Sequence, residues 1–295
     1  MAVTVEEALE IIYKQSKPKS IKLLPIEQSL GYILAQDITA THNLPPFDNS
    51  AMDGYAVKVS DSSKQVSIKH TILAGDNSNT ILEDEHAIKI MTGAKIPEGC
   101  ECIVPQEDVI ESGNTIILPP QLTYEKHIRK MGEDILVGDT LLVCGNKLNA
   151  YKITLLASQG ISHIKVYKKP KVTVFASGSE LKMHFETLES YQLYNTNTPT
   201  LTSRALELGC EVDCIGTASD SLQSLQEHIK SSLDSDLIVT SGGISVGDAD
   251  FTQEAFSSFN CEVFFSKISI KPGKPTILSK ICNTLVLNLP GNPLA

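Results

Sequence analysis

From Lys171 onward, the chain alternates between short apolar runs and longer amphipathic stretches. The runs have the length of strands and the stretches that of helices: strands are predicted at 172–175, 211–215, 236–240 and 262–268, and helices at 200–208, 222–233 and 252–259. This alternation predicts right-handed βαβ units and a doubly wound parallel sheet covered by helices on both faces. Ligands of such sheets bind outside the carboxyl ends of the strands. The loops after Phe175, Thr240 and Leu289 should therefore line one crevice.

The region from about 20 to 148 has a different pattern, in which short apolar runs are separated by Gly, Pro, Asn and Asp. The runs lie at 21–24, 66–72, 87–91, 102–105, 115–118 and 140–143. They predict a β-rich region of hairpins and turns. Before it, Thr4-x-x-Glu7 forms a capping box that should begin a short helix. After it, a helix is expected over 150–158, with Gly160 as its C-terminal cap.

Charge and cysteine content limit the class of protein. The net charge of −10 is opposite to that of a general nucleic-acid binder. The amino terminus lacks the basic start and apolar run of a signal peptide, and no segment has the length of apolar sequence that spans a membrane. The seven cysteines lack zinc-site spacing, and the histidines show no metal-binding pair. These features predict a cytoplasmic protein with reduced thiols that binds neither nucleic acid nor membrane.

Residues 45–57, PPFDNSAMDGYAV, are predicted to form an ordered loop. The apolar residues do not alternate as in a half-buried strand, and the two prolines and Asp-Gly oppose a helix. Ordered loops on rigid scaffolds often carry chemistry. Asp53 is therefore a candidate functional carboxylate, although a carboxylate beside glycine is more often a turn residue.

Three glycine- or lysine-bearing segments are expected at the crevice. Ser241, Gly242 and Gly243 directly follow a predicted strand and lead toward Asp248-x-Asp250, so that glycine N–H groups could face an anion. Lys267, Lys271 and Lys274 lie in a stretch without acidic residues and could converge on an oxyanion, since Lys267 and Lys271 would share a strand face and Pro272-Gly273 would turn the chain. Pro290, Gly291 and Asn292 end the last predicted strand. Each segment also has a purely structural interpretation: the first could be a plain glycine turn, the second a solvated basic hairpin, and the third an ordinary turn.

Acidic residues recur at loop positions. Glu180 follows the first strand of the alternating region, Asp220 precedes a predicted helix, and Asp134 lies in a turn after Arg129. Each is individually more typical of a cap or a turn, and Asp220 in particular could be an N-cap. A magnesium ion bound together with substrate phosphate would give several of these acids a common purpose.

Eight segments recur together, in this order, in one known family. They are PPFDNSAMDGYAV (45–57), MTGAKIPEG (91–99), VPQED (104–108), RKMGEDI (129–135), VFASGSEL (174–181), SGGISVGDADF (241–251), KPGKP (271–275) and LPGNP (289–293). The chain thereby resembles the MoeA/gephyrin E-domain family, the molybdopterin molybdenumtransferases. The SGG and LPGNP elements also occur in related molybdopterin adenylyltransferases, whereas the first segment and RKMGED distinguish the transferases from them.

The resemblance implies an α/β and β multidomain fold. A helical linker and dimerisation domain would comprise 1–45 and 136–169, with a β-rich domain inserted at 46–135. A doubly wound α/β molybdopterin-binding domain, similar to MogA and MoaB, would comprise 170–295. Family members continue beyond LPGNP with a helix and a small C-terminal β domain. Because this chain ends at Ala295, both are expected to be absent, and the activity of the chain stays open.

The implied activity is the insertion of molybdate into adenylylated molybdopterin, with release of AMP and molybdenum cofactor and with help from Mg²⁺. The implied catalytic residues are Asp53, Thr92, Arg129, Asp134, Glu180, Asp220 and Asp250. The implied substrate-binding residues are Ser241, Gly242, Gly243, Lys267, Lys271, Lys274, Pro290, Gly291 and Asn292. Glu180 and Asp250 would hold the metal ion.

The resemblance also implies a homodimer whose site combines the β-rich half of one subunit with the α/β domain of the other. A molybdopterin adenylyltransferase and molybdoenzymes are its implied partners. Two alternatives stay open at this point: an adenylyltransferase-like enzyme, and a gephyrin-like scaffold that binds without turnover.

Overall fold

The structure, a computed structural model, describes residues 2–76, 79–242 and 251–292. It divides into two compact units. The first, called here the α/β unit, comprises Met1–Ala35, Lys147–Ala150 and His163–Ala295. The second, called the β-rich unit, comprises Gln36–Asn146 and Tyr151–Ser162. Within the described residues, no helix combines the length and apolar character needed to cross a bilayer.

The elements follow the predicted order closely. The helices are α1 (Val5–Gln15), α2 (Ala150–Ser158), α3 (Asn197–Glu207), α4 (Leu222–Ser231) and α5 (Phe251–Ser257), with short 3₁₀ turns at Ile26–Gln28, Val59–Asp61 and Gln106–Asp108. The strands are β1 (Ala2–Val3), β2 (Ile21–Pro25), β3 (Ile33–Leu34), β4 (Ile38–Thr39), β5 (Asn49–Ser50), β6 (Gly54–Val57), β7 (Gln65–Ile72), β8 (His86–Ile90), β9 (Cys102–Pro105), β10 (Ile110–Ser112), β11 (Thr115–Ile117), β12 (Ile128–Arg129), β13 (Thr140–Leu142), β14 (His163–Tyr167), β15 (Lys171–Ser177), β16 (Leu181–Lys182), β17 (Leu193–Tyr194), β18 (Glu211–Ala218), β19 (Leu237–Ser241), β20 (Glu262–Phe265), β21 (Lys267–Ile268), β22 (Ile277–Ile281) and β23 (Thr284–Leu289).

The α/β unit is built on a six-stranded sheet with the order β18-β15-β19-β23-β22-β20. The first four strands in this order are mutually parallel, as predicted. Strand β22 is antiparallel to both of its neighbours. The reason is the two-residue connection between Ile281 and Thr284, since a tight hairpin can join only antiparallel strands.

Helices cover both faces of this sheet, which confirms the prediction. On one face, Leu201 and Ala205 of α3 pack against Val172 and Val174. On the other face, residues of α4 and α5 pack around Phe175. Successive residues of a strand point to opposite faces, so the apolar run of β15 serves both layers.

Two caps predicted from the sequence are confirmed. The Thr4 and Glu7 side chains exchange hydrogen bonds with each other's backbone N–H at the start of α1. Helix α2 ends before Gly160, whose φ is +68°. Helix α1 packs through Ala8 against Phe265 and Leu278.

The β-rich unit contains a six-stranded sheet with the order β10-β11-β7-β8-β6-β9. One apolar cluster includes Tyr55 and Val57, and a second includes Ala56, so strand β6 is buried on both faces. The prediction that all of residues 45–57 form a loop is therefore wrong for Gly54–Val57, and also for Asn49–Ser50, which form β5 and pair with β12. Apolar and polar residues do not need to alternate in β6, because both of its faces are covered by apolar side chains.

We expect Gly54→Ala to lower the free energy of unfolding by about 3 kcal/mol or more, because the new methyl would overpack the sheet. Its Cβ would lie 2.1 Å from the carbonyl oxygen of Val104 on β9. Gly113→Ala is the matched control, since Gly113 has a φ of +63° and open space around it. The free energy of unfolding of Gly113→Ala should fall by only about 1–2 kcal/mol, because the only cost is that alanine must adopt a positive φ. Chemical denaturation measures both, and equal losses would contradict the proposed packing constraint at Gly54.

Candidate functional site

A cleft of about 910 Å³ lies at the carboxyl ends of the parallel strands in the α/β unit. Its size is within the range of small-molecule binding sites. Most of the residues that line it lie at or after the ends of β15, β18, β19 and β23 or belong to the segment that leads into α3, while Leu181 is in β16 and Pro275 precedes β22. The lining residues are Ser177, Gly178, Glu180, Leu181, Leu193, Tyr194, Asn195, Thr196, Asn197, Asp220, Ser241, Gly242, Pro275, Pro290, Gly291 and Asn292. The predicted crevice thus exists, and it brings together Glu180, Asp220, Ser241, Gly242, Pro290, Gly291 and Asn292.

Backbone in close contact brings the three central strand ends of the cleft together. Gly242 has a φ of +93°, and a Cβ there would lie 2.3 Å from the carbonyl oxygen of Ser177. The Gly242 N–H donates to the carbonyl oxygen of Leu289 at 3.2 Å. A Cβ on Gly291 would lie 3.3 Å from the Gly242 Cα. Both the conformation and the close approach at Gly242 require glycine.

The loop that carries Glu180 is tied to the loop that carries Asp220. The Ser179 N–H donates to Asp220 Oδ2 at 2.9 Å, and the Asp220 N–H donates to Ser179 Oγ at 3.1 Å. Asp220 is therefore not the N-cap that the sequence suggested as an alternative. Ser221 is the cap of α4, since its side chain accepts from the Ser224 N–H at 3.3 Å.

The wall of the cleft that lies next to the segment of Glu180 was missed by the sequence prediction. It consists of residues 193–197. Leu193 and Tyr194 pair with Leu181 and Lys182, and the residues after them lead into α3. The predicted helix began only at 200, whereas α3 begins at Asn197. Asn195, two residues before the start of α3, is a capping signal that could have located this wall, since its Oδ1 accepts from the Thr198 N–H at 3.1 Å.

The three predicted lysines are not among the residues that line the described cleft. Strand β21 ends at Ile268, so the expectation that Lys267 and Lys271 share one strand face is wrong. The Ile268 N–H donates to the Lys274 carbonyl oxygen at 2.9 Å and closes the loop that contains Lys271. The turn after Lys271 is thus present, and the neighbouring Pro275 lines the cleft. Gly243 and Asp250 lie outside the described residues.

The other predicted residues lie in the β-rich unit, where Asp53 contacts Thr92 directly. Asp53 Oδ1 accepts hydrogen bonds of 2.7 Å from both the Thr92 N–H and the Thr92 hydroxyl. These two donors, the backbone N–H first, hold the pKa of Asp53 below its ordinary value. The carboxylate before β6 is therefore fixed in place by a residue 39 positions away.

Strand β5 connects this pair to the segment of Arg129. Ser50 of β5 accepts from the Gly93 N–H at 2.8 Å, next to Thr92, and β5 pairs antiparallel with β12, which ends at Arg129. The four predicted residues of this unit are thus carried by segments that are bonded to one another.

The Arg129 side chain is paired with two carboxylates of its own turn. Its Nε donates to Glu133 at 2.7 Å and its Nη2 donates to Asp134 at 2.5 Å. These hydrogen bonds raise the pKa of Arg129, with Glu133 as the larger cause, and lower that of Glu133. The guanidinium and the two carboxylates form one exposed, charge-paired group.

The described residues of the cleft could hold Mg²⁺ only together with a bound ligand that supplies further oxygen donors. Within the described parts of the chain, no group of three or more His, Cys, Asp or Glu side chains could hold a metal ion alone. Mg²⁺ commonly takes one or two carboxylates together with substrate phosphates. Glu180 and Asp220 at one cleft supply that donor type.

Comparison with known proteins places these features in a family context. Residues 3–160 match the family model for the MoeA N-terminal region (domain I and II), and residues 173–295 match the model for a probable molybdopterin binding domain.

Curated relatives and solved structures agree with these matches. The chain is 35% identical to the molybdopterin molybdenumtransferase of Staphylococcus aureus (strain MSSA476), over 99% of this chain and 72% of the relative. It is 37% identical to that of Haemophilus influenzae, over 99% of this chain and 74% of the relative. The crystal structure of a molybdopterin biosynthesis MoeA protein from Pyrococcus horikoshii superposes with a TM-score of 0.83 at 33% identity, covering 100% of this chain and 76% of that one.

We expect Thr92→Val to raise the pKa of Asp53 toward its ordinary value, because valine keeps the backbone donor but lacks the hydroxyl. A folded-state pKa below the unfolded value stabilises the protein above that unfolded pKa, and this contribution is lost as the pH falls through the folded pKa. The variant should therefore lose part of the Asp53 contribution at neutral pH. Carboxyl-carbon NMR titration measures the pKa, and an unchanged Asp53 titration would show that the hydroxyl bond is not formed in solution.

Proposed function

Because the chain belongs to the MoeA family, we propose that it transfers molybdenum from molybdate to adenylylated molybdopterin and releases AMP. The family gives it a role in molybdenum cofactor biosynthesis, as a transferase that handles molybdopterin and molybdate. The observation that supports the finer statement is the cleft at the strand ends, which combines carboxylates with backbone in close contact. Such a site can bind a phosphorylated small molecule and assist cleavage of its phosphoanhydride.

The proposed roles in the α/β unit follow from the chemistry of each residue. Glu180, together with Asp250, would hold Mg²⁺ with substrate phosphate, and the bound ion would neutralise charge on the phosphates. Asp220 would fix the loop of Glu180 through its two hydrogen bonds with Ser179. Lys271 and Lys274 would attract molybdate and phosphate oxygens.

Further binding contacts would come from the strand ends and the lysine segment. The residues assigned to substrate binding there are Ser241, Gly242, Gly243, Lys267, Pro290, Gly291 and Asn292.

In the β-rich unit, the ionised Asp53 would orient a polar group of the substrate. An aspartate is ionised at neutral pH and so accepts hydrogen bonds, and the two Thr92 donors hold the pKa of Asp53 below its ordinary value. Thr92 holds it in position, and Arg129 with Asp134 would supply a paired charge for a phosphate or molybdate oxygen. We further propose a homodimer in which these groups face the α/β unit of the partner subunit. Interaction with a molybdopterin adenylyltransferase and with molybdoenzymes, and a cytoplasmic location, stay predictions.

The direct test is incubation of the chain with adenylylated molybdopterin, Mg²⁺ and molybdate, followed by measurement of AMP. AMP release that requires molybdate is expected. Adenylylation of molybdopterin from ATP would instead indicate an adenylyltransferase, and binding of the substrate without turnover would indicate a scaffold. Either result would contradict the proposed reaction.

Asp53→Ala should lower turnover by about 100-fold, on the scale of losing one positioned catalytic group. It should lower the thermal midpoint only by the small amount expected for losing two exposed hydrogen bonds from Thr92, because Asp53 is an exposed loop residue. Asp139→Ala is the matched control, since Asp139 is also an exposed carboxylate that accepts a backbone N–H, from Leu136 at 2.9 Å. A large fall in the midpoint of the Asp53 variant, or an equal loss of turnover in the control, would mark Asp53 as structural.

Mixing two inactive variants tests whether the site is shared between subunits. If Asp53 of one subunit serves Glu180 of the other, an exchanged mixture of Asp53→Ala and Glu180→Gln should recover about a quarter of the wild-type rate. Half of the randomly assorted dimers are then mixed, and one of the two sites in each mixed dimer is intact. No recovery after demonstrated subunit exchange would place both residues in one subunit.

A further inference from the structure

The wall of the cleft before α3 carries exposed apolar side chains on a firmly held backbone. Leu193 and Tyr194 are 63% and 45% exposed, whereas the next residue, Asn195, is 3% exposed. Both Leu193 and Tyr194 line the cleft. Exposed apolar residues at one place in a concave site usually contact a ligand.

Backbone pairing fixes this wall against the segment of Glu180. The Leu193 N–H donates to the Glu180 carbonyl oxygen at 2.9 Å, and the Asn195 N–H donates to the Lys182 carbonyl oxygen at 2.8 Å. Tyr194 is the register partner of Lys182. The position of the tyrosine relative to Glu180 is therefore set by main-chain bonds.

Asn195 anchors the same wall to the sheet and to α3. Its Nδ2 donates to Thr198 Oγ1 at 2.8 Å and to Thr217 Oγ1 of β18 at 3.2 Å. Its Oδ1 accepts from the Thr198 N–H at 3.1 Å. Two residues further on, Asn197 Nδ2 donates to the carbonyl oxygen of Gly291 at 2.8 Å and so holds the opposite loop of the cleft.

The tyrosine ring is itself held at its far end. The Tyr194 hydroxyl donates to the Glu186 carbonyl oxygen at 3.3 Å, which leaves the ring between a fixed backbone and a fixed hydroxyl. An amphipathic ring that is already ordered loses little conformational entropy when a flat ligand contacts it.

We propose that Tyr194, supported by Leu193, is the platform on which a planar nitrogen heterocycle of the substrate stacks. Tyr194 would thus determine specificity, and this assignment rests on the proposed function. Adenylylated molybdopterin offers two such flat faces, the aromatic adenine and the planar pyrimidinone half of the reduced pterin, and the shared chemistry of a flat nitrogen heterocycle suits the tyrosine face in either case. If Glu180 holds Mg²⁺ together with substrate phosphate, as proposed above, the Leu193–Glu180 bond would keep the phosphate-bearing part of the ligand close to the ring site.

Calorimetric titration tests this with three probes: AMP, a pterin monophosphate, and ribose 5-phosphate, which has no aromatic ring. Tyr194→Ala should weaken binding of AMP or of the pterin by about tenfold, the typical effect of removing one stacking partner. Binding of ribose 5-phosphate should stay unchanged, which a general disruption of the cleft would not allow. Tyr194→Phe should bind nearly as well as wild type, because the ring face is kept.

Tyr191→Ala is the matched control, since Tyr191 is a 68% exposed tyrosine of the same segment that does not line the described cleft. Its affinity for all three probes should equal that of wild type. Loss with AMP alone assigns the platform to adenine, and loss with the pterin alone assigns it to the pterin.

If Tyr194→Ala binds AMP and the pterin monophosphate as tightly as wild type does, the proposed platform is wrong, while the proposed function is unaffected. Weaker binding of all three probes, ribose 5-phosphate included, would also overturn it. A wild-type protein that binds none of the probes and releases no AMP from adenylylated molybdopterin would overturn the proposed function and the platform together.

Discussion

The close approach of backbone at Gly242 is the constraint on which the rest of the α/β unit depends. A side chain at this position would meet the carbonyl oxygen of Ser177, so the ends of β15 and β19 can come together only around glycine. The bond from Gly242 to Leu289 adds the end of β23 to the same contact. Once these three strand ends meet, the loops after them must open outward, and the cleft is the space between them.

The sequence predicts the elements of both units well where periodicity and local signals agree. The apolar run of β15 and the caps of α1 and α2 follow from residues close to one another in the chain. It fails where the environment of a strand decides its pattern. Gly54–Val57 looks like part of a loop because its residues do not alternate, yet it is a central strand between two apolar layers. The reversed direction of β22 follows from a two-residue hairpin that periodicity does not report.

In the candidate site, too, some residues can be identified from the sequence and others only from their three-dimensional contacts. The motifs of the family resemblance identify Asp53 and Thr92, whose contact no local pattern would reveal because they lie 39 positions apart. By contrast, Asn195 looks like an ordinary polar residue before a helix. Its side chain donates to Thr217 of β18 and so ties the cleft wall to the sheet, a contact that is visible only in three dimensions. Asp220 was a reasonable cap by position, but the neighbouring Ser221 takes that role and leaves the carboxylate to join two loops.

The paired state of Arg129 has a consequence for any anion that reaches it. Glu133 and Asp134 accept from two of the five N–H donors of the guanidinium, so these two bonds leave three N–H groups for other acceptors. An incoming anion can therefore bind Arg129 without displacing either carboxylate, but it does so beside two negative charges. An oxyanion that accepts from two N–H groups at once gains more against this repulsion than a spherical ion such as chloride. The internal pairing would therefore make the arginine selective for oxyanions.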